Sequence, residues 1–283
     1  MSKFLVIFTI LAIFPAISWA ASLNFTTEHQ NQAVAETSEA GLTKEQRRQF
    51  SKAHAILMIL GWLFFVPTGF LFARLGRDLY KEQQLFGSAV WFQIHRVSNF
   101  LGVICIVTSI LCIFISTQFH WKGTGSGSKY WTEWHTDLGV ISTVLAVAQP
   151  LNSLLRCGPT HSKRVYFNWA HRITGILGYS LAFITIIIAA VNFKKIWNEP
   201  VLEIVLVSVP TVFAFALFAG FGVLESDRFR SKSEFGKKKR SSIKLEKFEP
   251  HILRAPAIFM SIGAFLAGAL ALSLLVANGY KNV

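Results

Sequence analysis

Residues 91–102 read WFQIHRVSNFLG, and this stretch decides the fold. It opens a long apolar run, yet it contains the adjacent ionisable residues His95 and Arg96. Ionisable side chains are costly at membrane depth, so such a pair at the start of a membrane-length helix indicates a functional site.

The same pattern occurs again at residues 169–178, WAHRITGILG, where His171 and Arg172 open another apolar run. Two further apolar runs each begin with a single histidine, His54 and His135. The sequence therefore predicts four helices that each carry a histidine near their first residue.

The composition excludes a soluble globular protein. Hydrophobic residues make up 52% of the chain and charged residues only 15%. Apolar runs of about 20 residues recur, and this is the length that spans a bilayer. We interpret the net charge of +13 as a topology signal within a lipid bilayer, and we expect no nucleic-acid partner.

The apolar runs predict an all-α membrane protein with six transmembrane helices. Spans one to four should form a four-helix core, with spans five and six beside it. Pro67 is expected to kink the first span. The predicted spans are residues 52–75, 91–117, 135–155, 169–193, 201–224 and 252–277.

The N-terminus resembles a secretory signal peptide, with Lys3 before a short apolar segment and a small-x-small cleavage site at residues 18–20. An uncleaved anchor is the alternative. The predicted organisation is a signal peptide at 1–20, a short extracytoplasmic segment at 21–51, a core at 52–224, a basic cytosolic loop at 225–251, the sixth helix at 252–277 and a tail at 278–283.

Loop charges give the orientation. With the mature N-terminus outside, the loops after spans one, three and five face the cytosol, and these loops hold most of the loop Lys and Arg. We therefore expect a multi-pass protein of the plasma membrane or an endomembrane, with an extracytoplasmic N-terminus. The basic run at residues 237–240 is either a topology determinant or a contact for anionic lipid head groups.

Successive spans run antiparallel, so this topology sorts the four histidines into two pairs. His54 and His135 begin at the outer face, whereas His95 and His171 begin at the cytosolic face. Two imidazoles that face each other across a helix bundle are the ligands of a six-coordinate b-type haem. We therefore expect these four side chains to be axial ligands of two haem irons.

A glycine follows each of the four histidines by four or seven residues, on the same helix face. A flat macrocycle needs such a gap, although glycines also serve close helix packing. These glycines are Gly61, Gly102, Gly139, Gly175 and Gly178.

Three arginines are candidates for binding anions at the cytosolic side. Arg96 and Arg172 could each hold a haem propionate, and snorkelling to the membrane edge is the alternative. Arg164 precedes His171 by seven residues and is a candidate for binding an anionic electron donor. His120 and His161 lie in loops and would be the substitutes if a predicted ligand failed.

These residues together resemble the cytochrome b561 family, in the form found beside DOMON domains in ferric-reductase-like proteins. The matching pieces are HAILMILGW from His54, WFQIHRVSNFLG, His135 with Gly139, Gln149-Pro150 followed by Arg156, and WAHRITG. The resemblance implies two b haems, and transmembrane electron transfer from cytosolic ascorbate to an outer acceptor, either a ferric chelate or monodehydroascorbate.

Two other functions are kept as alternatives. A quinone-linked cytochrome b subunit of a membrane dehydrogenase would share helices with paired histidines, and a non-enzymatic membrane receptor would bind no haem. Residues 21–51 are too short for a DOMON domain, so the sequence gives no support for an extracellular haem relay within this chain. A homodimer is kept open as a further interaction.

The loop charges generate a test of orientation. An epitope inserted in the loop at residues 225–251 should bind antibody only after the cells are permeabilised, because the basic residues hold this loop in the cytosol. Labelling of this epitope on intact cells would reverse the orientation. An epitope in the outer loop near Lys122 is the matched control and should be labelled without permeabilisation.

Overall fold

The computed structural model describes residues 41–193, apart from positions 81, 155 and 159, together with residue 208 and residues 251–279. From Glu45 onward these residues belong to one compact unit. The predicted signal peptide, nearly all of the fifth predicted span and the basic cytosolic loop lie outside the described residues.

Five long helices make up the described part of the chain. They are α1 (Lys44–Arg74), α2 (Val90–Ser116), α3 (Tyr130–Leu154), α4 (Arg164–Asn192) and α5 (His251–Gly279). A short antiparallel hairpin, β1 (Gln84–Leu85) with β2 (Ser88–Ala89), joins α1 to α2 and pairs Gln84 with Ala89.

Within the described residues, four helices are long and apolar enough to cross a membrane: Lys44–Arg74, Val90–Ser116, Arg164–Asn192 and Pro256–Asn278. These four agree in place with predicted spans one, two, four and six. Helix α3 carries several polar and charged side chains and is not among these four helices. Its crossing of the membrane therefore stays a prediction.

Helix α2 shows how such a helix meets lipid. Large apolar side chains are exposed along it at intervals of three or four residues, so they share one face. An apolar stripe of this kind suits a hydrocarbon environment. The stripe consists of Val97, Phe100, Ile104, Val107 and Leu111.

Helix α1 changes its winding where the sequence predicts a kink. Lys44–Ile59 and Val66–Arg74 are α-helical, and Leu60–Phe65 between them is π-helical. Pro67 follows this wider turn after one residue, Val66, and a proline ring otherwise clashes with the carbonyl one turn before it. The π turn provides the local room that Pro67 needs.

Helix α1 also begins earlier than expected, at Lys44 rather than near Lys52. Its first turns are fastened to the end of α2, because Arg47 Nε donates to the Ser116 carbonyl at 2.9 Å. The Ser116 hydroxyl in turn donates to the Arg47 carbonyl at 2.7 Å. These bonds extend the helix beyond the N-terminal end of the apolar run. The sequence pattern could predict only the bounds of that apolar run.

The helices pack as two close pairs, α1 with α2 and α3 with α4, and contacts between the two pairs are sparse. Small residues allow the close approach. A Cβ on Gly61 would lie 2.9 Å from Ile106 and 3.2 Å from the Gly102 carbonyl, and a Cβ on Gly178 would lie 3.1 Å from Leu145. For Gly61, Gly102 and Gly178 the structure therefore favours helix packing over a gap for a macrocycle.

The loop between α2 and α3 is held against the start of α3. The Asp137 carboxylate accepts hydrogen bonds from the Thr124 backbone N–H, at 3.2 Å, and from the Thr124 hydroxyl. Gly123 approaches so closely that an added Cβ would collide with Asp137 and Trp121. Asp137 lies two residues after His135, so this contact fixes the end of α3 that carries the histidine.

Substitution of Gly61 tests the α1–α2 contact. Gly61→Ala should destabilise the protein by about 1–3 kcal/mol, because its Cβ would overpack against Ile106 and a backbone carbonyl. Gly263→Ala is the matched control, since nothing lies within 4 Å of that Cβ. Thermal unfolding in detergent, followed by circular dichroism, should show a lower midpoint for Gly61→Ala alone; equal midpoints would contradict the close contact.

Candidate functional site

The structure brings the four predicted histidines together as two pairs. The His54 and His135 rings lie 6.3 Å apart between centroids, with planes at 72°, and we call them the outer pair after their predicted side. The His95 and His171 rings lie 6.3 Å apart, with planes at 76°, and form the inner pair. Each pair links one helix of α1–α2 to one helix of α3–α4.

The spacing within each pair fits a single metal ion. A metal–nitrogen bond is about 2.0 Å long. Two such bonds plus the distance from each nitrogen to its ring centroid add up to the observed separation of the centroids. In the described part of the chain no group of three or more His, Cys, Asp or Glu side chains could hold a metal ion. Two imidazoles leave the remaining positions of a six-coordinate iron to a planar macrocycle. Such a group would lie between the two helix pairs, where the helices make few contacts with each other.

The imidazoles of the outer pair are oriented by backbone carbonyls. His54 Nδ1 lies 3.1 Å from the Ser109 carbonyl and 2.9 Å from the Ser109 hydroxyl. His135 Nδ1 lies 3.1 Å from the Thr185 carbonyl. A carbonyl can only accept, so Nδ1 is the protonated nitrogen and Nε2 keeps the lone pair that binds a metal.

The inner pair is oriented in a related way. His95 Nδ1 lies 2.9 Å from the Gly69 carbonyl. His171 Nδ1 instead faces a side chain, because the Gln149 amide lies 2.7 Å from it. In the sequence, Gln149 stands out only as part of the Gln149-Pro150 motif, and its spacing gives no sign that it reaches across to α4.

Asn99 is a further residue that sequence reasoning missed. Its Nδ2 donates to the His95 carbonyl at 2.7 Å and lies 3.2 Å from His95 Nδ1. It also fills the space beside Gly69, where an added Cβ would lie 2.0 Å from Asn99 Nδ2. The signal was available, because a polar residue four positions after His95 shares its helix face.

Aromatic side chains surround the pairs. The Phe193 ring lies 5.1 Å from the His135 ring, and the Phe167 ring is stacked on His171 at 6.0 Å and 7°. The Tyr179 ring lies 6.4 Å from Trp62 and 5.6 Å from Phe70. These three rings form a cluster that extends from the level of Trp62 to that of Phe70, beside the inner pair.

The three predicted arginines have protein partners in the structure. Arg96 donates to Gln93 Oε1 at 2.6 Å, and the Arg172 guanidinium lies 5.9 Å from the Trp169 ring. Arg164 donates to the Cys157 carbonyl at 2.7 Å and lies 5.4 Å from the Phe167 ring.

Arg156 is a basic residue whose charge acts on both members of the inner pair, and this role was not predicted. Its guanidinium lies 4.7 Å from the Phe92 ring and interacts electrostatically with both His95 and His171. Partial burial, together with the neighbouring charge of Arg164, lowers the pKa of Arg156 below its ordinary value. Positive potential is therefore concentrated beside the inner pair.

The two substitute histidines occupy exposed positions with local partners. His120 Nδ1 lies 3.0 Å from the Thr117 carbonyl, and His161 Nδ1 accepts from the Lys163 backbone N–H at 3.1 Å. Each bond is to a residue two or three positions away, as is typical of loops.

Comparisons with known proteins place these features in a family. A family model described as eukaryotic cytochrome b561 matches residues 53–197. Ferric-chelate reductase 1 of Homo sapiens is 32% identical over 152 residues, which are 52% of this chain and 24% of that protein. A putative ferric-chelate reductase 1 of Xenopus laevis is 29% identical over 151 residues, 52% of this chain and 24% of that protein.

A cytochrome b561 and DOMON domain-containing protein of Arabidopsis thaliana is 25% identical over 160 residues, 56% of this chain and 34% of that protein. The chain thus spans about a quarter of the length of the ferric-chelate reductases that it matches. No solved structure matches the chain.

The contact between Gly69 and Asn99 can be tested by a double substitution. Gly69→Ala should lower the unfolding midpoint, because the new Cβ would collide with Asn99 Nδ2. Asn99→Ala should also destabilise, since it removes the bond to the His95 carbonyl. The double variant should be no less stable than Asn99→Ala alone, because the collision is then relieved. Additive losses in thermal unfolding would contradict this geometry.

Proposed function

This chain belongs to the eukaryotic cytochrome b561 family, and we propose that it carries electrons across a membrane through two b-type haems. One observation carries the proposal: two histidine pairs with the same 6.3 Å spacing link the same two helix pairs. In this proposal His54 and His135 are the axial ligands of the outer haem, and His95 and His171 those of the inner haem.

The residues of the chain would hold and orient each haem, which when bound supplies a one-electron ferric–ferrous couple. The Nδ1 hydrogen bonds keep Nε2 directed to the metal position. Arg96 and Arg172 remain our proposed partners for propionates, and Arg156 joins them because its charge acts on both members of the inner pair.

We propose cytosolic ascorbate as the donor. Ascorbate is an anion and gives up one electron and one proton to become monodehydroascorbate. The charges of Arg156 and Arg164 would attract such an anion. Phe167 contacts both the Arg164 guanidinium and the His171 ring, so a donor bound at Arg164 would lie one aromatic side chain away from a ligand of the inner haem.

We propose a ferric chelate as the outer acceptor, which gains one electron to become the ferrous chelate. The names of the relatives support this class, since they are ferric-chelate reductases. Monodehydroascorbate is the second candidate acceptor. In this scheme electrons enter at the inner pair and leave at the outer pair, across an integral membrane protein whose N-terminus is extracytoplasmic.

Haem content tests the ligand assignment. The purified wild-type chain should contain two b haems by the pyridine haemochrome assay. His54→Ala and His95→Ala should each lower this number toward one, because each removes one of two axial ligands. His120→Ala is the matched control and should retain both haems, since this exposed histidine bonds to the nearby Thr117 carbonyl. One haem or none in the wild-type protein would contradict the proposal.

The route of the electrons can be tested in sided vesicles by stopped-flow absorbance. His171→Ala should abolish reduction by ascorbate from the cytosolic side, because the entry site is lost. His135→Ala should leave the inner haem reducible but stop transfer to an outer ferric chelate. The reverse pattern would overturn the orientation, and reduction by a quinol but not by ascorbate would favour a quinone-linked cytochrome.

A further inference from the structure

We propose that Gln149 is a positioning residue for His171, and that its side-chain amide accepts the Nδ1 proton and thereby tunes the redox potential of the inner haem. This inference rests on the proposed role of His171 as a haem ligand. It adds a residue that neither contacts the reacting atoms nor belongs to the predicted ligand set.

Gln149 belongs to a series of hydrogen bonds that joins α3 to α4. The amide of Gln149, on α3, lies 2.7 Å from His171 Nδ1 on α4. The other end of the same amide, Nε2, lies 2.7 Å from the Thr174 hydroxyl. That hydroxyl in turn lies 2.7 Å from the Ala170 carbonyl. All three distances are those of well-formed hydrogen bonds.

If His171 binds a metal through Nε2, its Nδ1 carries the proton, and this selects the orientation in which the Gln149 amide oxygen faces Nδ1. The bond to Thr174 agrees with that orientation. The Ala170 carbonyl can only accept, so a Thr174 hydroxyl that donates its single proton there accepts from the Gln149 NH₂ group.

The reverse amide orientation suits the opposite tautomer. It would turn the NH₂ group toward His171 Nδ1 at 2.7 Å and the His171 carbonyl at 3.2 Å, and the amide oxygen would accept from the Thr174 hydroxyl at 2.7 Å and from the Gly175 backbone N–H at 3.1 Å. His171 would then carry its proton on Nε2 and could not bind a metal through that nitrogen. The orientation of the Gln149 amide and metal binding at His171 are therefore linked.

Gln149 differs in kind from the partners of the other three histidines. Those imidazoles each face a backbone carbonyl, on Ser109, Gly69 and Thr185. A backbone carbonyl is the same group whatever the side chain, whereas a side-chain amide can be replaced by a stronger or weaker acceptor. The basicity of His171 can therefore be set by the choice of side chain at position 149.

The electronic consequence has a definite sign. A stronger acceptor at Nδ1–H makes the imidazole a stronger donor to iron, which stabilises the ferric state and lowers the potential. Loss of the acceptor weakens the donor and raises the potential. A lowered potential at the inner haem favours transfer of the electron onward to the outer haem.

The test is an anaerobic redox titration of the full chain in lipid nanodiscs, followed in the visible absorption bands of the two haems. Gln149→Glu should lower one midpoint and Gln149→Leu should raise the same one. We expect a change of about tenfold in the ratio of reduced to oxidised haem at a fixed potential, which is about 59 mV for one electron. The other midpoint should stay unchanged.

Two further variants separate tuning from a merely structural effect. Thr174→Val removes the acceptor for the amide NH₂ group, so it should shift the same midpoint as Gln149→Leu, by less. Thr143→Val is the matched control on α3, because it removes a hydroxyl that bonds within its own helix, to the Gly139 carbonyl at 2.8 Å. Both midpoints should stay unchanged in this control.

The outcomes distinguish the two proposals. Two haems in the wild type, with unchanged midpoints in Gln149→Leu and Thr174→Val, would overturn the role of Gln149 and leave the proposed function intact. Shifts of the same sign in Gln149→Glu and Gln149→Leu would also overturn it, since a structural disturbance does not follow acceptor strength. A wild type without haem would instead overturn the proposed function.

Discussion

The constraint on which this structure depends is that each imidazole bonds through Nδ1 to the helix packed closest to its own. His54 on α1 faces a carbonyl of α2, and His95 on α2 faces a carbonyl of α1. His135 on α3 likewise faces α4, and His171 on α4 faces α3. Such bonds require the paired helices to lie within reach of a short ring, and this explains why glycines occur along their contacts.

The sequence indicated the helices and the grouping of the histidines because both follow from simple rules. Apolar length predicts a span, and alternation of direction places every second histidine at the same side. The partners of the rings could not be predicted in this way. Three of them are backbone carbonyls, which have no sequence signature, and the fourth, Gln149, depends on how α3 and α4 are rotated against each other. Asn99 was also missed, but it could have been predicted, because it shares a helix face with His95.

Polar function also explains why α3 is the least membrane-like of the long helices in the described residues. It contains His135, Asp137 and Gln149, and each of these has a partner in the structure: a carbonyl of α4, the loop after α2, and the inner pair. Groups that orient a site reduce the apolar signal of the helix that carries them. In the first turns of α1 a polar residue has the opposite effect. The bond of Arg47 extends this helix toward the N-terminus, beyond the start that hydrophobicity alone predicts.

The cluster of Trp62, Phe70 and Tyr179 has a consequence for energy conversion. Trp62 and Tyr179 are buried; along α1 Trp62 lies between His54 and Gly69, and along α4 Tyr179 lies between His171 and Thr185. A packed aromatic layer can transmit electrons, and the proposed route moves one electron without a coupled proton. Transfer as proposed would then be electrogenic. A membrane potential of 100 mV, negative on the cytosolic side, would add about 2.3 kcal/mol of driving force for each electron that crosses fully.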